Sequence, residues 1–265
     1  MAIEIKSPKE IEAMRVVGRM AAETLCLVGD KIRAGMTCDE INTIVHEDTL
    51  RRGGEPAPLH YRGFPKSVCT SVNDVVCHGI PNSYVLKEGD IVNVDVTTIY
   101  KDFHGDTSAT FYIGMPSWEV MHVTEVARKA LQIGIEQVRE GARFGDIGAA
   151  IQEYVEAQGC SVVRDYVGHG IGRQFHEDAP QVKHYGKYGT GERIKAGMTF
   201  TIEPMVNVGR FETVLDPVDK WTVRTADGSL SAQFEHTLVA KVDGYEILTR
   251  RPRILCSSEG VVTAY

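Results

Sequence analysis

The stretch LKEGDIVNVDV, residues 86–96, alternates Val92, Val94 and Val96 with Asn93 and Asp95. That is the period-two pattern of a strand with one apolar and one polar face. A similar stretch, IKAGMTFTIEP, returns at residues 194–204 and sets Glu203 in register with Asp95. Other segments repeat as well. VCHGIP at 76–81 matches VGHGIG at 167–172, pairing His78 with His169, and GDTSATFYIG resembles FEHTLVAKVDG, setting Asp106 against Glu235. A chain that repeats its strands in order is best read as two related halves.

The helical segments repeat too. SPKEIEAMRVVGRMAAETLCLVGDKIRAG places Ile11, Met14, Val17, Ala21, Leu25, Val28 and Ile32 at three- and four-residue steps. Ser7, Pro8 and Glu10 supply its N-cap, N1 proline and capping-box acid. WEVMHVTEVARKALQIGIEQVREG is its counterpart in the second half. A second helix follows in each half. TCDEINTIVHEDTLRRGG opens on Thr37 and Glu40 and closes on Gly53, and GDIGAAIQEYVEAQG closes on Gly159. The expected fold is α+β: a single domain over 1–265, duplicated internally as halves of about 1–114 and 115–265. Each half reads helix, helix, strands, with antiparallel sheet at the centre and helices outside.

Asp95 and Asp106 raise a chemical question inside this frame, because carboxylates are poor strand residues and costly to bury. His104, Asp106, Ser108 and Thr110 share one face of their strand. A turn centred on Tyr100–Lys101 would put Asp95 directly opposite Asp106, at a Cβ separation of roughly 4.5–5.5 Å. Two carboxylates so close repel unless a proton or cation lies between them. They are either solvated on an exposed face or half of a metal site. The repeat favours the metal site. Asp95, Asp106, Glu203 and Glu235 converge from both halves, and four buried acids without a cation are hard to stabilise. With His169 as a fifth donor, their four charges balance two divalent ions.

Composition narrows the class. The 265 residues are 43% hydrophobic and 25% charged, an ordinary globular mixture. A net charge of −7 argues against a general nucleic-acid binder. No apolar run approaches the roughly 20 residues of a membrane helix, and the acidic, h-region-free start is not a signal peptide. The six cysteines show neither CxxC nor disulfide-framework spacing, which suits reduced thiols in a cytosolic enzyme. Other motifs fail on inspection. HEDTL at His46 lacks the second histidine of a zincin, because Leu50 stands there. GHGIG lacks the lysine of a phosphate loop, and no Gly-x-Ser-x-Gly elbow or zinc-finger spacing occurs.

Five segments in order, YRGFPKSVCTSVNDVVCHGIP, DIVNVDVTTIYKDFHGDTSATF, YVGHGIGRQFHE, MTFTIEPMV and SLSAQFEHT, resemble the signatures of the type I methionine aminopeptidases, in their short bacterial or organellar form. The resemblance spans essentially the whole chain and implies the pita-bread fold. It implies removal of initiator methionine from nascent proteins whose second residue is small, by attack of a metal-activated water on the first peptide bond. Carried over, Asp95, Asp106, His169, Glu203 and Glu235 would bind two divalent ions (Co, Mn, Fe or Zn), with Asp106 and Glu235 bridging. Glu203 would shuttle the proton, and His78 and His176 would contact substrate. Tyr61, Phe64, Cys69, Phe175 and Trp221 would wall the methionine pocket, where a thioether packs well against rings. Asn73, Val75 and Ser231 match a monovalent-cation site of some members. The implied setting is a cytoplasmic monomer working on nascent N-termini, with the ribosome as a further partner, no nucleic-acid site and no membrane.

Two departures touch the pocket. Pro58 replaces a common cysteine, and Phe64 replaces a common tyrosine. Residues 183–194 and 209–220 also differ from the common form. Two other readings compete: a proline-directed peptidase of the same fold, and a non-catalytic binding protein. The proline peptidases usually carry an extra N-terminal domain, and the binding proteins typically lose ligands that this chain keeps.

Overall fold

A computed structural model describes residues 3–252, together with the backbone of a strand pair at Cys256–Ser257 and Gly260–Val261. Helix α1 spans Pro8–Lys31, and its capping box joins Ser7 and Glu10 in both directions. Met14, Val17, Ala21, Leu25 and Val28 are fully buried along one stripe. Each large apolar side chain so buried contributes roughly 1.5–3 kcal/mol. Helix α2, Cys38–Arg51, has the equivalent box at Thr37 and Glu40. Helices α3, Trp118–Glu136, and α4, Phe144–Ala157, occupy the corresponding places in the second half.

The long hairpin of Ile91–Tyr100 and Phe103–Tyr112 lies directly on α1. A Cβ on Gly105 would come within 2.7 Å of the Gly18 backbone, so this approach needs glycine. The register differs from expectation. Lys101 and Asp102, with φ of 48° and 66°, form the two-residue turn. Positive φ at both positions gives a turn whose twist matches the strands. Asp95 therefore faces Ser108, and Thr97 faces Asp106. The two aspartates share a face but sit diagonally, two residues out of opposition.

In the second half, Thr199–Ile202 pairs with His236–Lys241 within a five-stranded antiparallel sheet. Met205–Asn207 pairs with Ser231–Gln233 in a separate three-stranded sheet. MTFTIEPMV is thus two strands broken at Glu203–Pro204, not one. Proline removes a ladder donor there. The partner segment is interrupted at Phe234–Glu235. The antiparallel centre is consequently several joined sheets, with Glu203 and Glu235 at the joints and Asp95 and Asp106 inside the unbroken hairpin.

The two halves meet along the long hairpin, through side chains from both of its faces. Asn93 Nδ2 and Thr110 Oγ1 donate to the Gln233 carbonyl at 2.8 Å each, and Thr107 Oγ1 donates to that of Glu235 at 2.9 Å. This explains why a buried surface carries so many hydroxyls: they satisfy backbone groups that leave the ladders.

Candidate metal centre

All five expected metal donors line one cavity of about 260 Å³. Oxygen atoms of Asp106 and Glu235 and a ring nitrogen of His169 lie within 4.8 Å of one another. His169 Nε2 is 3.6 Å from Asp106 Oδ2 and 3.7 Å from Glu203 Oε1. Asp95 Oδ1 is buried without a hydrogen-bond partner.

Three of the donors, Asp106, Glu203 and His169, are aimed by neighbours. Thr97 Oγ1 donates to Asp106 Oδ1 at 2.7 Å, and Thr201 Oγ1 donates to Glu203 Oε1 at 2.7 Å. Thr237 Oγ1 receives the Asp106 N–H and donates to its carbonyl. His169 Nδ1 lies 3.0 Å from the Gly170 carbonyl. A carbonyl only accepts, so Nδ1 carries the proton and Nε2 turns its lone pair to the acids. A ligating histidine takes this arrangement.

The electrostatics follow from crowding. Burial pushes the Asp95 and Glu235 carboxyls well up, and the other acids push further. Burial raises Glu203 to about 7, against opposing help from His169 and Thr201. Burial works to lower His169, but the neighbouring carboxylates of Asp106 and Glu203 outweigh it. Such a cluster repels itself and has an oxygen without a partner, which is the chemistry a divalent cation satisfies. The residues therefore fit a metal centre.

The remaining expected residues surround this cluster. His78 and His176 line the same cavity, as do Tyr61, Phe64, Cys69, Phe175 and Trp221. His78 has a positive φ of 55° and stands edge-on to Tyr166 and Trp221. Burial lowers it to about 4, so it is neutral at pH 7. His176 stays open to the mouth, while its ring packs against His169, Phe175 and Tyr61. Desolvation of that ring and the adjacent His169 also hold it below the usual range. Phe64 meets Trp221 edge to face at 5.2 Å. Pro58 and the exposed Arg62 complete the rim.

The monovalent trio lies elsewhere in the molecule's centre. The Asn73 carbonyl accepts the Ser231 N–H at 2.9 Å, and Val75 begins the next strand. Ser231 Oγ and Asn207 Oδ1, opposite each other in register, are both buried without hydrogen-bond partners.

Several positioning residues escaped the sequence reading. Thr97, Thr201 and Thr237 each stand two places from an acid, so strand alternation already put them on the acids' face. His184 carried no such signal. It is fully buried, and its Nε2 accepts the Glu203 N–H at 3.1 Å. Arg251 likewise had none. Buried behind the site, it donates to the Ser108 carbonyl at 2.6 Å.

Comparison with known proteins agrees with this geometry. The model of metallopeptidase family M24 matches residues 12–241. The chain is 50% identical to the methionine aminopeptidase of Rickettsia prowazekii over 255 residues, 96% of this chain and 98% of that one. The crystal structure of methionine aminopeptidase from Rickettsia prowazekii superposes with a TM-score of 0.93, covering 94% of this chain and 100% of the other. The Xaa-Pro dipeptidase from Bacillus anthracis, 20% identical, shares the fold with a TM-score of 0.77, and 63% of that chain is covered. Among the described residues, no helix is long and apolar enough to cross a membrane.

Proposed function

The chain belongs to metallopeptidase family M24, and from that premise we propose that it is a metal-dependent methionine aminopeptidase. The observation that carries the reading is one cavity lined by four acids, three histidines and an aromatic wall. The proposed substrates are nascent chains with methionine first and a small residue second. The setting is the cytoplasm of a cell that starts its proteins with methionine, close to the ribosome. We read residues 1–265 as one catalytic domain of two duplicated halves, acting as a monomer.

Asp95, Asp106, His169, Glu203 and Glu235 would hold two divalent ions. Mostly oxygen donors with one imidazole suit Mn, Fe, Co or Zn. Such ions, when bound, lower the pKa of a water and polarise a carbonyl. The chain's own residues do the rest. Glu203, its carboxylate beside His169 in the cavity, can take a proton from water and give it to the leaving amine. His176 donates a hydrogen bond to the oxygen on which negative charge develops. His78, neutral and held by its aromatic neighbours, orients the scissile amide. Tyr61, Phe64, Cys69, Phe175 and Trp221 enclose the methionine side chain and exclude water. Asn73, Val75 and Ser231 would hold a monovalent cation, a reading supported by the unpartnered Ser231 hydroxyl.

The test is metal analysis with cleavage of Met-Ala-Ser against Ala-Pro-Pro peptides. The expected result is two divalent ions per chain and turnover of the methionyl peptide alone. Turnover of Ala-Pro-Pro in its place would make the chain a proline-directed peptidase. No turnover of either by metal-loaded protein would leave a binding protein.

A further inference from the structure

Tyr61 lies close enough to His176 to decide which ring nitrogen carries its proton. Tyr61 Oη is 3.0 Å from His176 Nδ1, and the rings stack at 5.3 Å with 28° between their planes. A neutral imidazole has a single N–H, on one nitrogen or the other. His169 and His104 turn Nδ1 to backbone carbonyls, of Gly170 and Gly172, which only accept. Those two rings must therefore hold their proton on Nδ1. His176 Nδ1 instead meets a hydroxyl, which can donate. A tyrosine hydroxyl can donate or accept, but the phenol is the stronger hydrogen-bond acid of the pair, which favours donation from Tyr61 to His176. Nε2 then keeps the proton, and it is the nitrogen left for the cavity that His176 lines.

The backbone that carries Tyr61 is fixed by its surroundings. His60 and Arg62 both take left-handed conformations, with φ of 68° and 48°. Such conformations are costly away from glycine and persist where surrounding structure enforces them. Here His60 N–H bonds the Phe64 carbonyl, and Tyr61 N–H bonds that of Pro58. Phe175 closes the other side at 4.9 Å from the Tyr61 ring.

We propose that Tyr61 is a positioning residue as well as a pocket wall: its hydroxyl fixes His176 as the Nε2–H tautomer, so that this proton faces the developing oxyanion. The inference rests on the reading of His176 as that donor.

Tyr61→Phe keeps the ring and removes only the hydroxyl. Loss of one such bond should lower kcat on Met-Ala-Ser about tenfold. KM and divalent content should hold within about twofold, on the same grounds. In a His176→Ala background the same change should alter nothing further, because its effect passes through the imidazole. Nitrogen-15 spectra of histidine-labelled, zinc-loaded protein should show His176 protonated at Nε2 in the wild type and mixed between nitrogens in Tyr61→Phe. Equal losses in both backgrounds, or a raised KM with kcat intact, would reduce Tyr61 to a wall and overturn the proposal. A wild-type ring protonated at Nδ1 would overturn it too. If the wild type left Met-Ala-Ser uncut, the functional reading would fall, and the spectra would still decide the tautomer.

Discussion

Asp95 and Glu235 show why removing one acid is not a simple loss. Each carboxyl is pushed well up by burial and by its acidic neighbours, so without metal the cluster opposes itself. Deleting one charge relieves that repulsion and removes a donor at the same time. Glu235→Ala should therefore lose at least one divalent equivalent and most activity, while the metal-free protein should be no less stable for want of that charge. Elemental analysis beside thermal melts of chelated samples checks both. Full metal content with wild-type turnover would sink the assignment of Glu235.

Elements carry these residues to their places by close backbone approaches. Gly79 follows His78, its carbonyl accepts the Thr70 N–H at 2.8 Å, and a Cβ on it would lie 2.2 Å from the Thr70 carbonyl oxygen. Backbone cannot yield as a flexible side chain does. Gly79→Ala should cost about 1–3 kcal/mol by overpacking, and it should shift the segment that presents His78. A melt and a Met-Ala-Ser assay on the variant decide it, since wild-type values in both would mean that the segment gives way freely. The long hairpin teaches the same lesson about register. Moving the turn by one residue took Asp95 and Asp106 out of opposition, yet left both on one face, because side-chain direction has period two.

The whole molecule is tied across its length by pairs such as Arg15 of α1 with Glu246, in the strand Gly244–Ile247. The hydrogen bond from Arg15 is the main cause that lowers Glu246 to about 2, with Lys241 adding to it and burial opposing. A carboxylate lowered on folding stabilises fully above its unfolded value of about 4.5 and ceases to do so as pH falls through about 2. Glu246→Gln should thus cost about 0.5–1 kcal/mol at pH 7, the small value of a partly exposed pair. The gap between variant and wild type should close as pH drops from about 4.5 toward 2. Chemical melts across that range test this, and a gap that widened toward acid would contradict it.

Much of this is legible in the amino-acid sequence alone. The capping boxes at Ser7 and Thr37, the apolar stripe of α1 and the alternation of residues 91–99 are local, set by hydrogen-bond reach and by helix or strand periodicity. The internal repeat also set each acid of the first half against one of the second. The turn at Lys101–Asp102 was misplaced because either centre satisfies the same alternation. The break at Glu203–Pro204 is not set by local pattern alone, because strand propensity is judged without knowing which partner each residue finds. His184 and Arg251 were invisible because what they do depends on groups far along the chain. His184 holds the Glu203 amide, and Arg251 braces the Ser108 carbonyl. Short-range patterns are written in sequence because neighbours are fixed by the covalent chain. The aim of a buried donor is decided only when distant segments close around it and its polar atoms must find partners or go without.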